Sequence, residues 1–441
     1  LHLCDRRQRQ MCIRDRNIIQ AQFTRDSLHT GEDAFRCFEA HCLAMADKSM
    51  VEYSDYAMES TGLTGMISSG LPEIAGEKTK MKKRKPKERI YVCHTYYHVY
   101  VACLKELTLP RAMRGKADLV LSTMSNDFGS LKERAGKSGL FEAVFMFEEK
   151  EEHAFPQLAR YHEDHGNLVF NLFSRMIFTK LYGKLQQPYV PVDFKKYQDI
   201  YVFCDSDPIG YYLNYKKIHY HAVEDGLDCI CYYDTARYDN RGHFGLKAFL
   251  AAHNLIFIQN GYSKYCVDME VNNTSILKYP CSKYIEQPRE AMVRRLTQDD
   301  KNTILRIFME DLDTLMTQLT TGVHHEHKVL VLTEPLCELP VREQIFRDIV
   351  AKYGKDAQVI LKPHPRDVLD YHKLFPDDIV LDGKFPMEIL NFIEGLEFDQ
   401  VVSVYTVPDS IHFAKEKVFL GDDFMDLYED PQKHRFNEQI F

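Results

Sequence analysis

Four short stretches of the sequence hold residues whose types and order suit group-transfer chemistry. The first is Glu224-Asp225-Gly226, which closes the apolar run 219–223. Successive side chains on an extended chain point to opposite faces, so one carboxylate can act as a base while the other serves the fold. Gly226 suits the tight turn that follows, and an ordinary acidic turn would carry the same residues. The second is Lys362-Pro363-His364-Pro365-Arg366, after the run 358–361. Its prolines stiffen the loop and hold His364 at a strand end between two cations. An imidazole flanked by Lys362 and Arg366 suits the phosphate of a departing nucleotide, which it can serve with a hydrogen bond or a proton. A rigid turn with solvated cations is the plain alternative. Third, Pro386-Met387-Glu388 opens a helical pattern. Glu388 fits either ribose hydroxyls or a favourable first helical turn. Fourth, the run 400–404 continues through Tyr405-Thr406-Val407-Pro408 into a further helical pattern. Ser403, Thr406 and the amides there make a phosphate cradle or a simple Ser/Thr-capped helix start.

Placing such groups takes regular elements, and the pattern from Met81 onward supplies them. Runs rich in β-branched and aromatic residues at 89–93, 117–121, 143–147, 200–204, 219–223 and 255–259 predict strands. Tyr97, Val101, Leu104 and Leu107 recur at helical spacing, and 168–181 reads as another helix. One long amphipathic helix is expected over 297–319, with Thr297 as N-cap and Asp300 three residues on. A polar linker follows to residue 328. A second series then opens: strands at 329–333, 358–361, 379–381, 400–404 and 418–421, with helices at 341–353 and 386–393. Strands alternating with helices predict parallel α/β sheets. Two such series predict the GT-B architecture, two Rossmann-like domains facing a central cleft where ligands meet the strand C-termini. The expected domains are 88–290 on the acceptor side and 329–441 on the nucleotide-donor side, joined by 291–328.

Composition bounds the function from outside. The chain has 441 residues, 45% hydrophobic and 27% charged, which excludes collagenous, disordered and membrane-spanning classes. A net charge of −9 argues against a nucleic-acid partner. No apolar run reaches the ~18 residues of a membrane helix, and no signal-type core opens the chain. Twelve scattered cysteines in such a chain are expected to be reduced thiols in the cytoplasm. Residues 1–16, rich in Arg and Gln, resemble a translated sequencing adapter, with Met11-Cys12-Ile13-Arg14-Asp15-Arg16 as its transposon end. They hold five Arg and two Asp, so the remainder carries −12. The segment 17–87 is expected to be upstream sequence ending in the basic start Met81-Lys82-Lys83-Arg84-Lys85-Pro86-Lys87. A basic membrane-surface patch is the alternative for that run.

Taken together and in order, the four motifs resemble the bacterial sialyltransferases of glycosyltransferase family 52 and the related polysialyltransferases. Those enzymes carry an acidic-acidic-Gly motif, then a His-Pro motif, then a Ser-Ser/Thr motif. Cys93-His94-Thr95-Tyr96-Tyr97-His98 also looks like the family's first strand and loop, and the resemblance spans about 89–440. The third motif departs, since Ser403 and Thr406 are not adjacent. The resemblance implies an inverting, metal-independent transfer of a sialic or related nonulosonic acid from a CMP donor, with no cofactor. The acceptor would be a glycan hydroxyl of a surface polysaccharide or lipooligosaccharide, with peripheral contact at the inner membrane. It implies Asp225 as general base and His364 at the CMP phosphate. Lys362, Pro365, Arg366, Glu388, Ser403 and Thr406 would line the donor site, and Glu224, Gly226, Thr95 and His98 would support the acceptor side.

Other motifs point elsewhere. Asp205-Ser206-Asp207 after a strand has the context of the DxD motif of metal-dependent GT-A transferases. A CDP-alditol phosphotransferase of teichoic-acid type shares the architecture and a His-Pro-like loop, and a non-catalytic nucleotide-sugar-binding protein is a third class. His324-His325-Glu326-His327 reads as a solvated loop rather than a metal site. Cys229 and Cys231 lack metal-site spacing, and Tyr232, Tyr233, Arg237 and Tyr238 suit either an acceptor sugar or turn packing.

Overall fold

The computed structural model describes residues 87–163, 165–203, 205, 208–226, 243–277, 281–321 and 327–434. The adapter-like start, the basic run up to Pro86, Asp207, the Cys229 to Tyr238 cluster and His324 to Glu326 lie outside the described residues.

The first series builds a seven-stranded parallel sheet from β1 (Lys87–Cys93), β2 (Ala117–Ser122), β3 (Phe141–Phe147), β4 (Tyr197–Phe203), β5 (Tyr220–Val223), β6 (Cys266–Val271) and β7 (Tyr284–Glu286). Their order is β3-β2-β1-β4-β5-β6-β7. The chain leaves β1 on one side for β2 and β3, then returns to the other side for β4, the topology of a doubly wound sheet. Val92 of β1 lies in register with Val120 of β2 and Val202 of β4, and all three are buried. Continuous apolar runs are what a parallel strand covered on both faces requires. The covering helices include α1 (Tyr96–Thr108), α2 (Leu131–Lys137), α3 (Leu168–Leu185), α4 (Pro208–Lys216) and α5 (Phe244–Ala252). A short α6 (Arg289–Val293) then packs against α1.

The second sheet holds β8 (His327–Leu332), β9 (Ala357–Lys362), β10 (Ile379–Val380), β11 (Phe398–Ser403) and β12 (Ala414–Phe419) in the order β10-β9-β8-β11-β12. All its pairings are parallel. Between the sheets run α7 (Gln298–Phe308) and α8 (Leu312–Thr321), and α9 (Leu339–Tyr353) covers the second sheet. One buried cluster joins Leu104 of α1, Ile304 and Phe308 of α7, Leu330, Ile360 and Ile389, so the facing sides of the two halves share a core. Two parallel sheets of this topology, face to face, are the GT-B arrangement.

Four expectations change. Residues 255–259 are not a strand; Ile256 and Ile258 pack as a buried turn against Leu250 of α5, and β6 takes the sheet position instead. The single helix expected over 297–319 is two. Thr297 and Asp300 form the expected capping box, but Met309 is extended and Asp311 accepts from the Thr314 amide (2.8 Å), starting α8. The segment around Glu388 is 3-10 turn, Met387–Phe392, rather than α-helix. After Pro408 there is one 3-10 turn, Pro408–Ser410, too short to bring a helix dipole to the cradle.

Candidate active site

Asp225 lies just beyond the C-terminal end of β5, the end where doubly wound sheets bind ligands. Its Oδ1 is hydrogen-bonded to Nε2 of His98, which is buried while the Asp225 side chain stays 19% exposed. The backbone N–H of His94 donates to His98 Nδ1 at 3.0 Å. That bond makes Nδ1 the acceptor, so Nε2 carries the proton and donates it to Asp225. His98 stacks on Phe203, with ring centroids 4.7 Å apart, and its amide bonds the N-cap Thr95 Oγ1 at 3.2 Å. Burial holds His98 below its ordinary imidazole range despite the Asp225 charge beside it. Burial opposes ionisation of Asp225, yet the combined pull of His98, His94 and Arg366 keeps its carboxyl well below the usual range. The neighbouring Glu224 points away and accepts from the Asn272 amide (2.5 Å), and burial raises its carboxyl. The two carboxylates therefore divide as extended geometry requires, one facing out and one tied to the fold.

A second carboxylate braces this end of the sheet. Glu149 is buried beyond β3, and its Oε2 receives His94 Nε2 and Ser122 Oγ, each at 2.7 Å, while Oε1 accepts from the Ile209 amide at 2.6 Å. It gathers the loops after β1 and β2 and the start of α4 behind the dyad. Sequence reasoning missed Glu149 because it sits in the charge run Glu148-Glu149-Lys150-Glu151-Glu152 with nothing to single it out.

His364 sits beyond β9 in the second half. The Arg366 amide donates to its Nδ1 at 3.1 Å, which again leaves Nε2 as the protonated, donating nitrogen. Its own amide donates to Thr333 Oγ1 (3.3 Å). Burial, with Arg366 and Lys362 nearby, pushes the imidazole down to about 3, so it is neutral at physiological pH. The loop is anchored by Asp367, whose Oδ1 accepts from Arg342 Nη1 at 2.7 Å and whose Oδ2 accepts from Tyr371 Oη at 2.7 Å. Lys362 is buried, donates to the Pro363 carbonyl (3.2 Å) and lies 4.5 Å from the Phe385 ring centroid. Burial lowers its ammonium to about 8, partly offset by Glu388 and Asp382. Burial likewise raises the Glu388 carboxyl.

The 403–406 region differs from the open cradle read in the sequence. Ser403 Oγ is buried and donates to the Thr406 carbonyl at 2.7 Å. The Tyr405 and Thr406 amides both donate to the carboxylate of Glu334, the closest contact being 2.6 Å from Thr406. Glu334 follows β8 and reaches across to the loop after β11, spanning the point where the strand order of this parallel sheet switches sides. Like Glu224, Glu334 is a carboxylate close behind a strand end, a pattern present in the sequence.

The two halves meet electrostatically. Arg366, in the His-Pro loop, acts on both Asp225 and His98 across the cleft, and Glu388 acts on Tyr97 and Tyr100 of α1. Tyr100 also packs on Phe392, with centroids 6.2 Å apart. Asp205 takes no part in this meeting. It is buried, with Oδ1 accepting from the Asn260 amide (2.7 Å) and Oδ2 from Tyr220 Oη (3.0 Å), so its oxygens serve the fold. His327, the one described member of its cluster, is an exposed strand start. No group of three metal-ligating side chains is present among the described residues.

The profile of glycosyltransferase family 52 matches residues 161–415, more than half of the chain. The chain belongs to glycosyltransferase family 52. An uncharacterised protein of Haemophilus influenzae is 31% identical to this family member over 127 residues, 28% of this chain and 39% of that one. The match thus spans well under half of that relative's length. Among solved structures, the α/β-galactoside α-2,3-sialyltransferase of Photobacterium phosphoreum is similar at 11% identity and TM-score 0.44, covering 75% of this chain and 89% of the other. A 2,6-sialyltransferase of Photobacterium sp. JT-ISH-224, solved with CMP and lactose, is similar at 12% identity and TM-score 0.47, covering 76% and 71%. The family match covers Asp225, His364, Glu388, Ser403 and Thr406.

Proposed function

We propose that this glycosyltransferase moves a sialic or related nonulosonic acid from its CMP donor to a glycan hydroxyl, with inversion and without a metal ion. The observation that carries the reading is the pairing of a buried, tautomer-fixed His98 with an ionised Asp225, opposite Arg366 of the His-Pro loop. Asp225 takes the proton of the acceptor hydroxyl as its oxygen attacks the anomeric carbon, and the bond from that carbon to the phosphate oxygen breaks. CMP leaves with the bonding electrons. His364, neutral and with Nε2–H as donor, offers the phosphate a hydrogen bond, and Arg366 and Lys362 offset its charge. A phosphate is a good leaving group, so this stabilisation suffices without full proton transfer.

Glu388 holds ribose hydroxyls in this reading. Thr406 borders the phosphate on a loop held by the buried Ser403, Pro365 keeps the His-Pro loop rigid, and Thr95 and Gly226 shape the acceptor side with Glu224 supporting it from the fold. The acceptor is a surface polysaccharide or lipooligosaccharide, met by a cytoplasmic enzyme in peripheral contact with the inner membrane. No described helix is long and apolar enough to cross one.

The test is a donor panel in EDTA. Transfer from CMP-sialic acid to lactose-terminated acceptors, undiminished by the chelator, is expected. Turnover of CDP-glycerol instead would replace this reading with alditol-phosphate transfer, and loss of activity in EDTA would overturn its metal independence.

A further inference from the structure

Arg289, which opens α6 beside α1, has no part in the reaction as described. It is 7% exposed. Its amide donates to Asn272 Oδ1 (2.8 Å) and its Nη1 to the Gln287 carbonyl (2.9 Å). Nε and Nη2 are buried and make no hydrogen bond of good geometry, the Tyr97 hydroxyl being the polar group that approaches the guanidinium. Those two N–H groups share one edge of the guanidinium and point the same way. Their spacing is the fork that accepts both oxygens of a carboxylate in parallel. Leaving two donors of a buried cation unmade is costly, and a native fold keeps such a feature where a partner arrives later.

The nearby acids do not fill the fork. Glu224 is bonded to the Asn272 amide, and Glu270 is taken by Lys105, whose Nζ lies 2.6 Å from both of its oxygens. The charge of Arg289 is nonetheless felt at Glu224, next to Asp225, and at Tyr97 and Tyr100 on the cleft side of α1. Tyr97 is partly exposed, its hydroxyl approaches the guanidinium, and it also feels the charge of Glu388 of the other half.

We propose that Arg289 is the carboxylate-binding residue for an acidic sugar, its Nε–H and Nη2–H taking the two carboxylate oxygens once Tyr97 turns aside. The inference rests on the CMP-sialic acid reading and names the feature of that donor the site selects: a sugar carboxylate, with which a neutral sugar cannot fill the fork. Arg289 is a specificity residue here, and Asp225 and His364 are the groups at the reacting bond.

Titration calorimetry separates the two readings. Wild type should bind CMP-N-acetylneuraminate at least about tenfold tighter than its carboxamide analogue, the scale of charge-assisted hydrogen bonds. In Arg289→Lys, which keeps the charge but loses the fork, and in Arg289→Met, that gap should fall below about threefold. CMP alone should bind all three proteins equally, which also reports that the variants are folded. A gap that persists in both variants, no gap in wild type, or loss of CMP binding in both variants would each overturn the role of Arg289. If wild type binds no CMP at all, the donor reading fails on its own. Arg289 is then tested with UDP-glucuronate against UDP-glucose, where an Arg289-dependent preference for the acid upholds it and equal binding sinks it.

Discussion

At the residue scale, the account turns on two imidazoles with fixed tautomers. Each has Nδ1 capped by a backbone amide, from His94 in one case and Arg366 in the other, and each presents Nε2–H. Both are held below the ordinary imidazole range by burial, while the His98 hydrogen bond and the Arg366 charge hold Asp225 below the carboxylate range against its own burial. His364 and Asp225 therefore keep their charge between pH 5 and 8 in the free enzyme. The pH profile of kcat/KM, which reports free-enzyme groups, should lack an inflection near ~6.5 from His364. An inflection there that disappears in His364→Gln would contradict this. Asp225→Asn should cut kcat by about 10²–10⁴, the usual worth of a general base, with CMP affinity kept. Turnover within about threefold of wild type would remove Asp225 from that role. Asp225 and His364 were legible in the sequence because strand ends announce themselves and a Pro-His-Pro loop is distinctive. Their partners were less so: His98 came through resemblance, and Glu149 lay hidden in a charge run.

At the scale of elements, loops at strand C-termini are held by buried carboxylates rather than by their own sequence. Asp367 and Arg342 are the tightest case, with 0% and 4% side-chain exposure. Removing the cation in Arg342→Met leaves an unpaired buried charge under the His-Pro loop, expected to cost about 3–5 kcal/mol in denaturant unfolding. A loss below about 1 kcal/mol would show that the pair does not brace the loop. Asp205 has the opposite character, since burial raises its carboxyl to about 6 even with the Asn260 amide and Tyr220 bonded to it. Its folded value exceeds its unfolded one, so its contribution is fully present below about pH 4 and is lost as pH rises through about 6. The stability of wild type relative to Asp205→Asn should therefore fall between pH 4 and 7, and a difference that rises with pH would contradict the assignment. Periodicity located most elements but misplaced the sixth strand. Residues 255–259 are continuously apolar because a turn buries them, whereas β6 (Cys-Val-Asp-Met-Glu-Val) alternates and reads as weaker. The break at Met309–Asp311 was also invisible, because the carbonyls that end α7 are met by Arg134 of α2, from Nε to Ile307 (2.7 Å) and from Nη2 to Phe308 (3.3 Å).

At the scale of the molecule, two doubly wound parallel sheets share one core through α1, α7 and the Met387–Phe392 turn. The alternation of strand and helix made that architecture readable, because each parallel crossover needs a helix to cover it. The meeting of Arg366 with Asp225 was not readable, since residues over a hundred positions apart are brought together only by the packing of the halves. The electrostatic coupling brings Asp225 and the His-Pro loop to one cleft, and a crystal structure with CMP bound tests most directly whether the proposed donor site lies there. A phosphate oxygen is expected within hydrogen-bond distance of His364 Nε2, with Asp225 facing the position of the sugar. Phosphate bound away from His364, with Asp225 remote from it, would contradict the account.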